Sequence, residues 1–441
     1  MIKSIERILF FLLILLLPVQ LGKHFWPQFA LINGIRVDYL SPTIYLTDIL
    51  IFLLFLISIV KKRLRNKIFI FKFSSKDKFY NSLLLFVILD IVLLVFASRS
   101  QPAHFFGLVK FLEFLFLGFY IVRVFEFKLV DNFISMLSWS AFVASILAIM
   151  QYVNQSSIGG FWYFLGERTF TGMTIGIANM NIGQGQVLRP YAFFPHPNVL
   201  AFFLFFSSIF ILFKLKYEKN IFEKIFLIMV FNISLIALLL TFSRVIIIIS
   251  LIAYLFLAFT ILRQKIYKYL LLGLSTLGAL TYLALYPQRY LNIEMITTDL
   301  MLRVDLASIA LKIISSNFYF GVGLNNFFIH EIAFQKTVSP TILQPVHNVF
   351  ALIFVQVGFF SFLFVLVFIK KTFITVWQKY RKYKGEQKDF YQALFILLSA
   401  LLIVGMFDHF PITLQQGQLI TALIIGLAWF RPDRIRRDER K

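Results

Sequence analysis

The chain contains no cysteine, which removes disulfides, thiolate metal sites and cysteine nucleophiles together. Charge is nearly as scarce: Asp, Glu, Lys and Arg make up 15% of the 441 residues, against about a quarter in a water-solvated domain. Acidic residues are the rarer kind, 21 against 43 Lys and Arg. No polar stretch is long enough to fold as a soluble domain between the apolar runs. What fills the chain is 60% apolar residue with a mean hydropathy of +0.84, set in runs long enough to cross a bilayer. Disorder, collagen-like structure and disulfide-stapled secretion are excluded, and a multi-spanning membrane protein is implied. The net charge of +22 would suit a nucleic-acid binder, but the cations sit in short clusters between apolar runs. Nucleic acid is therefore not an expected partner; membrane lipids are.

The expected fold class is all-α integral membrane, with about twelve transmembrane helices. The first six spans are read at Ile8–Leu21, Thr43–Val60, Phe79–Ala97, Phe105–Val122, Val130–Tyr152 and Pro197–Phe213. The rest fall at Ile221–Thr241, Val245–Leu262, Tyr267–Tyr286, Val349–Ile369, Tyr391–Phe407 and Leu414–Phe430. About 32 of the 43 Lys and Arg lie in alternate loops on the side of the N-terminus, which makes that side cytoplasmic. Both termini are then cytoplasmic. Residues 1–430 read as one polytopic domain with a core at about 189–369, and 431–441 as a basic cytoplasmic tail. Two outer loops are long, 153–196 and 287–346, and long loops usually carry function. Within the second, Thr298–Ser315 has the spacing of an amphipathic helix lying on the outer membrane surface.

The few outer cations are mostly Arg, among them Arg189, Arg244 and Arg303. Arg grips phosphate oxygens in pairs, which points to a bound anion on that face. All six histidines fall on the same side or at its span ends, and histidine is the natural proton acceptor near neutral pH. A metal cluster of His196, His347, Asp408 and His409 is the rival reading, although no pair has the spacing of a helical metal site.

Three strings stand out. Arg189-Pro190-Tyr191-Ala192-Phe193-Phe194-Pro195-His196-Pro197-Asn198 leads into a span; its prolines fix His196 at the boundary, and Asn198 can bind a polar ligand or serve the helix start. Thr241-Phe242-Ser243-Arg244 is a short outer turn that holds Arg244 close to hydrocarbon, facing either headgroups or a polar cavity. Gly321-Val322-Gly323-Leu324-Asn325-Asn326 permits a tight turn whose amides could cradle phosphate. It is followed by His347-Asn348 and then Gly358.

His347-Asn348, nine residues and Gly358 resemble the hallmark of the O-antigen ligase and polymerase superfamily. The Gly-x-Gly before it, Arg303 in Leu-Arg-Val-Asp-Leu-Ala, Ser243-Arg244 and the Arg189-to-Asn198 string are similar to other landmarks of that family, in the same order. The early Pro42, Tyr45 and Asp48 are similar to its second span. The resemblance implies transfer of a glycan from undecaprenyl diphosphate on the outer face of the bacterial plasma (inner) membrane. The acceptor is a hydroxyl on another glycan, a lipid or a protein, and the reaction is inverting, with no metal and no cofactor. It implies that His347 is the general base, that Arg244 and Arg303 act on the diphosphate, and that Arg189, His196, Asn198, Gly321, Gly323 and Asn348 line the substrate site. Ligase and polymerase remain equally open.

The rival class is transport of bicarbonate or another small anion, which twelve spans would also suit. Transporters place ionisable residues near mid-membrane. Here Asp90, Lys110 and Glu113 are the clear cases, and Lys110 and Glu113, three apart on one helix, can pair with each other.

Overall fold

A computed structural model describes residues 2–64, 88–182 (save 89, 93, 95 and 97), 185–260, 293–334, 343–430 and 432. Its helices are α1 (Ile2–Leu15), α2 (Leu46–Leu64), α3 (Gln101–Val124), α4 (Val130–Asn154), α5 (Pro197–Tyr217), α6 (Ile221–Leu240) and α7 (Arg244–Thr260). They continue as α8 (Ile293–Ser316), α9 (Phe327–Glu331), α10 (Val349–Lys382), α11 (Gly385–Phe407), α12 (Phe410–Thr413) and α13 (Gln415–Trp429). Among the described residues, six helical segments are long and apolar enough to cross a membrane: Gln101–Val124, Phe127–Asn154, Pro197–Tyr217, Ile221–Leu240, Val349–Lys382 and Gly385–Phe407. Each overlaps a span expected from the sequence. The protein is an all-α, multi-pass membrane protein. The expected span at 267–286 and nearly all of the tail at 431–441 lie outside the described residues, as does most of the span at 79–97. The first expected span differs in kind: α1 is 14 residues long, about 21 Å of helix against a hydrocarbon core of about 30 Å.

The bundle is built around α5. Its sequence is apolar on every face, so it has no side to turn to water and is enclosed all round, with every residue from Val199 to Lys214 buried. Helices α4, α6, α7 and α11 surround it. The polar groups that do enter the bundle are matched to one another. Ser145 meets Ser234 at 3.1 Å and Ser208 meets Tyr254 at 2.6 Å. Lys110 donates to Glu113 at 3.1 Å, as its spacing allowed, and also to Asp48 of α2 at 2.5 Å.

The helices give the bundle two unlike ends. Both α5 and α10 start beside His196 and His347 and carry their cations in the half away from those residues, Lys214 and Lys216 in one and Lys370, Lys371, Lys379, Arg381 and Lys382 in the other. The end where the helices start also bears three short antiparallel strand pairs that the sequence reading did not foresee. They are β1 (Gly22–His24) with β4 (Thr43–Tyr45), β2 (Leu31–Ile32) with β3 (Ile35–Arg36), and β5 (Asn179–Ile182) with β6 (Gly185–Leu188). The expected amphipathic stretch is helical as α8. Leu306, Ile309, Ala310 and Ile313 form its buried face, packed toward α10, while Leu300, Met301, Val304 and Leu311 stay exposed.

Helix α10 is interrupted at Gly358, where φ is +68°. A break among apolar neighbours would strand backbone groups without partners. The segment after α8 supplies them: Val322 N donates to Val355 O at 2.9 Å, Gly323 N to Gln356 O at 2.8 Å, and Phe359 N to Phe318 O at 2.9 Å. This close approach requires glycine on both sides. A Cβ on Gly358 would stand 2.4 Å from Tyr319 O, and one on Gly321 would stand 2.6 Å from Gly358 N. Gly358→Ala is therefore expected to cost more than the about 1–3 kcal/mol of backbone strain alone. Gly385 is the control, since its φ is +56° but nothing lies within 4 Å of an added Cβ. Thermal unfolding in detergent should show a clearly larger drop for Gly358→Ala than for Gly385→Ala. Equal drops would mean that the clasp does not depend on close approach.

Candidate functional site

Four helix ends meet at one end of the bundle, and side chains next to those ends tie them together. Pro197 occupies the first turn of α5, where a missing N–H costs nothing, and His196 caps that helix by accepting from Asn198 N at 3.1 Å. Asn348 caps α10 by accepting from Ala351 N at 2.9 Å, and its own amide donates to Met406 O near the end of α11 at 3.2 Å. Arg244 begins α7 directly after a turn in which Phe242 holds φ at +53°. Asp408 closes α11.

A chain of hydrogen bonds links these ends. Arg189 donates from Nε to Thr241 O at 2.7 Å and from Nη2 to Asn198 Oδ1 at 2.8 Å. Asn198 in turn donates from Nδ2 to Asp408 Oδ2 at 2.7 Å. The other carboxylate oxygen accepts from His409 N at 2.7 Å. The rings of His347 and His409 lie 5.1 Å apart, centroid to centroid. Arg303 reaches across from α8 to donate to Phe407 O at 2.5 Å. Sequence strings separated by more than 200 residues are thereby brought into one cluster, with Asn198 and Asp408 210 positions apart.

The electrostatics divide the labour among these groups. Burial, helped by Arg189, lowers His196 to about 3, and burial lowers His409 to about 4. Both imidazoles are therefore neutral at neutral pH and resist taking up a proton. Burial alone would raise Asp408, but the facing His409, His196 and His347 and the Asn198 amide outweigh it and hold the carboxyl down to about 2. The cluster thus offers one fixed carboxylate, neutral rings and several guanidinium groups. The N-termini of α5, α7 and α10 add the partial positive charge of their aligned peptide dipoles. An anion is the natural guest there.

A cavity of about 2620 Å³ opens over this cluster, and Arg189, His196, Arg244, Arg303, His347 and His409 all line it. It continues along the bundle past Lys110, Gly118 and Trp429 to Lys379. Its lining, polar at the cluster and rich in Phe, Leu and Ile along the bundle, suits a ligand with a polar head and an apolar tail.

The Gly-x-Gly string is placed differently from a phosphate cradle. The Val322 and Gly323 amides serve α10, Gly321 N donates to Asn317 O at 3.0 Å, and Leu324 N donates to His104 Nδ1 at 3.0 Å. These amides are committed within the protein, so Gly321 and Gly323 build the clasp around Gly358. His104 is a core group that also bonds Ile91 O at 2.8 Å, and His24 is held by Thr43 at 2.9 Å. Sequence reasoning missed Gln151. This buried residue of α4 accepts from Tyr191 N at 3.0 Å and Ala192 N at 2.8 Å, and it donates to Ala192 O at 3.1 Å. It fixes the backbone between Arg189 and His196, where Ala192 takes a φ of +49°. An amide near the end of a largely apolar helix was its signal in the sequence.

A search of curated proteins finds no match to the chain. Residues 225–366, from within α6 to within α10, match the family described as O-antigen ligase. That stretch carries Arg244, Arg303, His347 and the broken helix at Gly358, and its match supports the likeness to the O-antigen ligase and polymerase superfamily.

Proposed function

We propose that this protein transfers a glycan from undecaprenyl diphosphate to an acceptor hydroxyl on the outer face of the bacterial plasma membrane, as a ligase or polymerase of surface polysaccharide. The observation that carries this reading is the convergence of Arg244, Arg303 and His347 on one cavity that continues along the membrane-spanning helices. The outward placement of the site is supported by the cations of α5 and α10, which gather at the opposite end as cytoplasmic residues do. Both termini are cytoplasmic on this reading. Transport is not favoured: Lys110 pairs with both Asp48 and Glu113 and so links α2 to α3, and Asp90 is engaged by Ser361.

The chemistry asks little of the protein. The acceptor hydroxyl gives its proton to His347 as its oxygen attacks the anomeric carbon. The bond from that carbon to the phosphate oxygen breaks, the diphosphate leaves with the electron pair, and the configuration inverts. Arg244 and Arg303 neutralise the charge that develops on the leaving oxygens. Arg189 has a structural share as well, because it holds the Thr241 turn and Asn198 in place. With guanidinium groups and helix N-termini supplying the positive charge, the reaction needs no divalent ion.

Purified protein given a lipid-diphosphate glycan and candidate acceptors tests the reading, and product formation is the expected result. His347→Ala should remain folded and keep donor binding, yet lose about 10²–10⁴-fold in transfer rate. His330→Ala, at equal membrane levels, should retain it. Equal activity in the two would remove His347 from the mechanism. Arg303→Lys keeps a charge but loses the planar fork, so donor affinity and rate should both fall. Transfer should also survive EDTA. A strict requirement for added magnesium or manganese would overturn the assignment of Arg244 and Arg303.

A further inference from the structure

His347, Asp408 and His409 do more than meet. Each offers a donor atom of metal-ligating type, and the three donor atoms lie within 4.8 Å of one another. Each is also held by a second group, as ligands in built metal sites are. Asn198 Nδ2 engages Asp408 Oδ2 at 2.7 Å. Thr413 Oγ1 engages Nδ1 of His409 at 2.7 Å, which leaves Nε2 as the nitrogen that ring can offer. Gln344 Oε1 steadies the His347 ring through Nε2 at 3.2 Å. The Asp408 and His409 side chains are buried, so neither is a mobile surface group that meets the others by chance.

Two imidazoles and one carboxylate are a donor set for borderline first-row cations such as zinc, not for magnesium or calcium, which prefer all-oxygen shells. Binding would draw the three donors together around the ion, to the about 2.0–2.2 Å that zinc takes from His and Asp. Three protein ligands leave a fourth position open. The neighbouring cations set the strength: Arg303 acts on His409, and Arg189 reaches Asp408 through Asn198. That positive field weakens cation binding, so the ion is exchangeable.

We infer that His347, Asp408 and His409 form an exchangeable site for a zinc-class divalent cation, and that an ion held there blocks transfer by occupying His347. The inhibitory half rests on the proposed function, because only a His347 that must take a proton is disabled by a metal. The site itself does not depend on that reading, and the two are separable.

The test uses the full chain in detergent, stripped with chelator, with zinc chloride as the probe and no glycan present. Calorimetric titration should show one zinc per chain, and magnesium chloride should neither bind nor compete. Cobalt(II) should give the intense visible absorption of a low-coordinate site. Asp408→Asn and His409→Gln, each checked for folding by thermal unfolding, should weaken zinc binding by about tenfold or more. Absence of stoichiometric zinc binding by the folded wild-type chain would overturn the site, as would unchanged affinity in both variants. In the transfer assay, zinc should lower the wild-type rate in step with occupancy, and EDTA should restore it. A rate that is unchanged or raised at full occupancy would overturn the inhibitory role. Zinc binding without any transfer in the absence of metal would count against the proposed function and leave the site standing.

Discussion

The amide of Asn198 is the joint on which the site depends. Its oxygen accepts from Arg189 and its nitrogen donates to Asp408, so one small side chain at the start of α5 connects the Thr241 turn to the end of α11. An amide is the group that can do this, because it presents an acceptor and a donor on one planar head. A carboxylate would repel Asp408, and a hydroxyl is too short to span both partners. Remove the joint and Asp408 loses its tie to α5, Arg189 loses an anchor, and this link between the ends of α5 and α11 is gone. The neutral rings of His196 and His409 are held against that carboxylate, so the electrostatic state of the whole cluster follows from this single geometry.

A second constraint acts from the other side. Hydrocarbon supplies no hydrogen bonds, so a spanning helix can be interrupted only where protein replaces the lost partners. Helix α10 is broken at Gly358, and the strand of chain after α8 fills the gap with three backbone bonds. The break therefore ties the long segment between α8 and α10 to the bundle at a fixed point. Arg303 sits on α8 and His347 at the start of α10, so the same clasp sets the distance at which these two residues can work together. The glycines of this region act through backbone approach, and their contribution to the site is positional.

How much of this was legible in the sequence depends on the range of each interaction. Apolar runs are local signals, and the six membrane-crossing segments among the described residues fall where hydropathy put them. Arg189, His196, Asn198, Arg244, Arg303, His347 and Asn348 could be singled out because each sits in a short polar string between such runs. Asp408 could be named only as a candidate metal ligand beside His196, His347 and His409, and its bond to Asn198 could not be read that way. Its meaning comes from a contact 210 positions distant, and its local string, Phe407-Asp408-His409-Phe410, looks like an ordinary helix end. Gln151 was hidden for the same reason. The strand pairs escaped because strands of two to four residues are too short for an alternating pattern to register. Gly321 and Gly323 were visible, but a Gly-x-Gly string says only that the backbone comes close to something. The structure shows that the something is another helix.

The arrangement also suits the charged head and apolar tail of the proposed donor. Helix N-termini and guanidinium groups are most effective where water is sparse, because a lower dielectric strengthens every charge–charge interaction. Unpaired, the same positive groups would be costly to bury. Asp408 offsets that cost at the centre of the cluster, and the mutual pairing of Asp48, Lys110 and Glu113 offsets it deeper in the bundle. A cavity that gathers Arg189, Arg244 and Arg303 at one end and continues past Phe111, Phe114 and Phe364 along the bundle suits an anion joined to a hydrocarbon chain. Neutral histidines beside a fixed carboxylate keep their ring lone pairs free of protons at neutral pH, and such lone pairs also suit a borderline cation. Proton acceptance and metal binding draw on one lone pair of His347, so the two uses exclude each other at that atom.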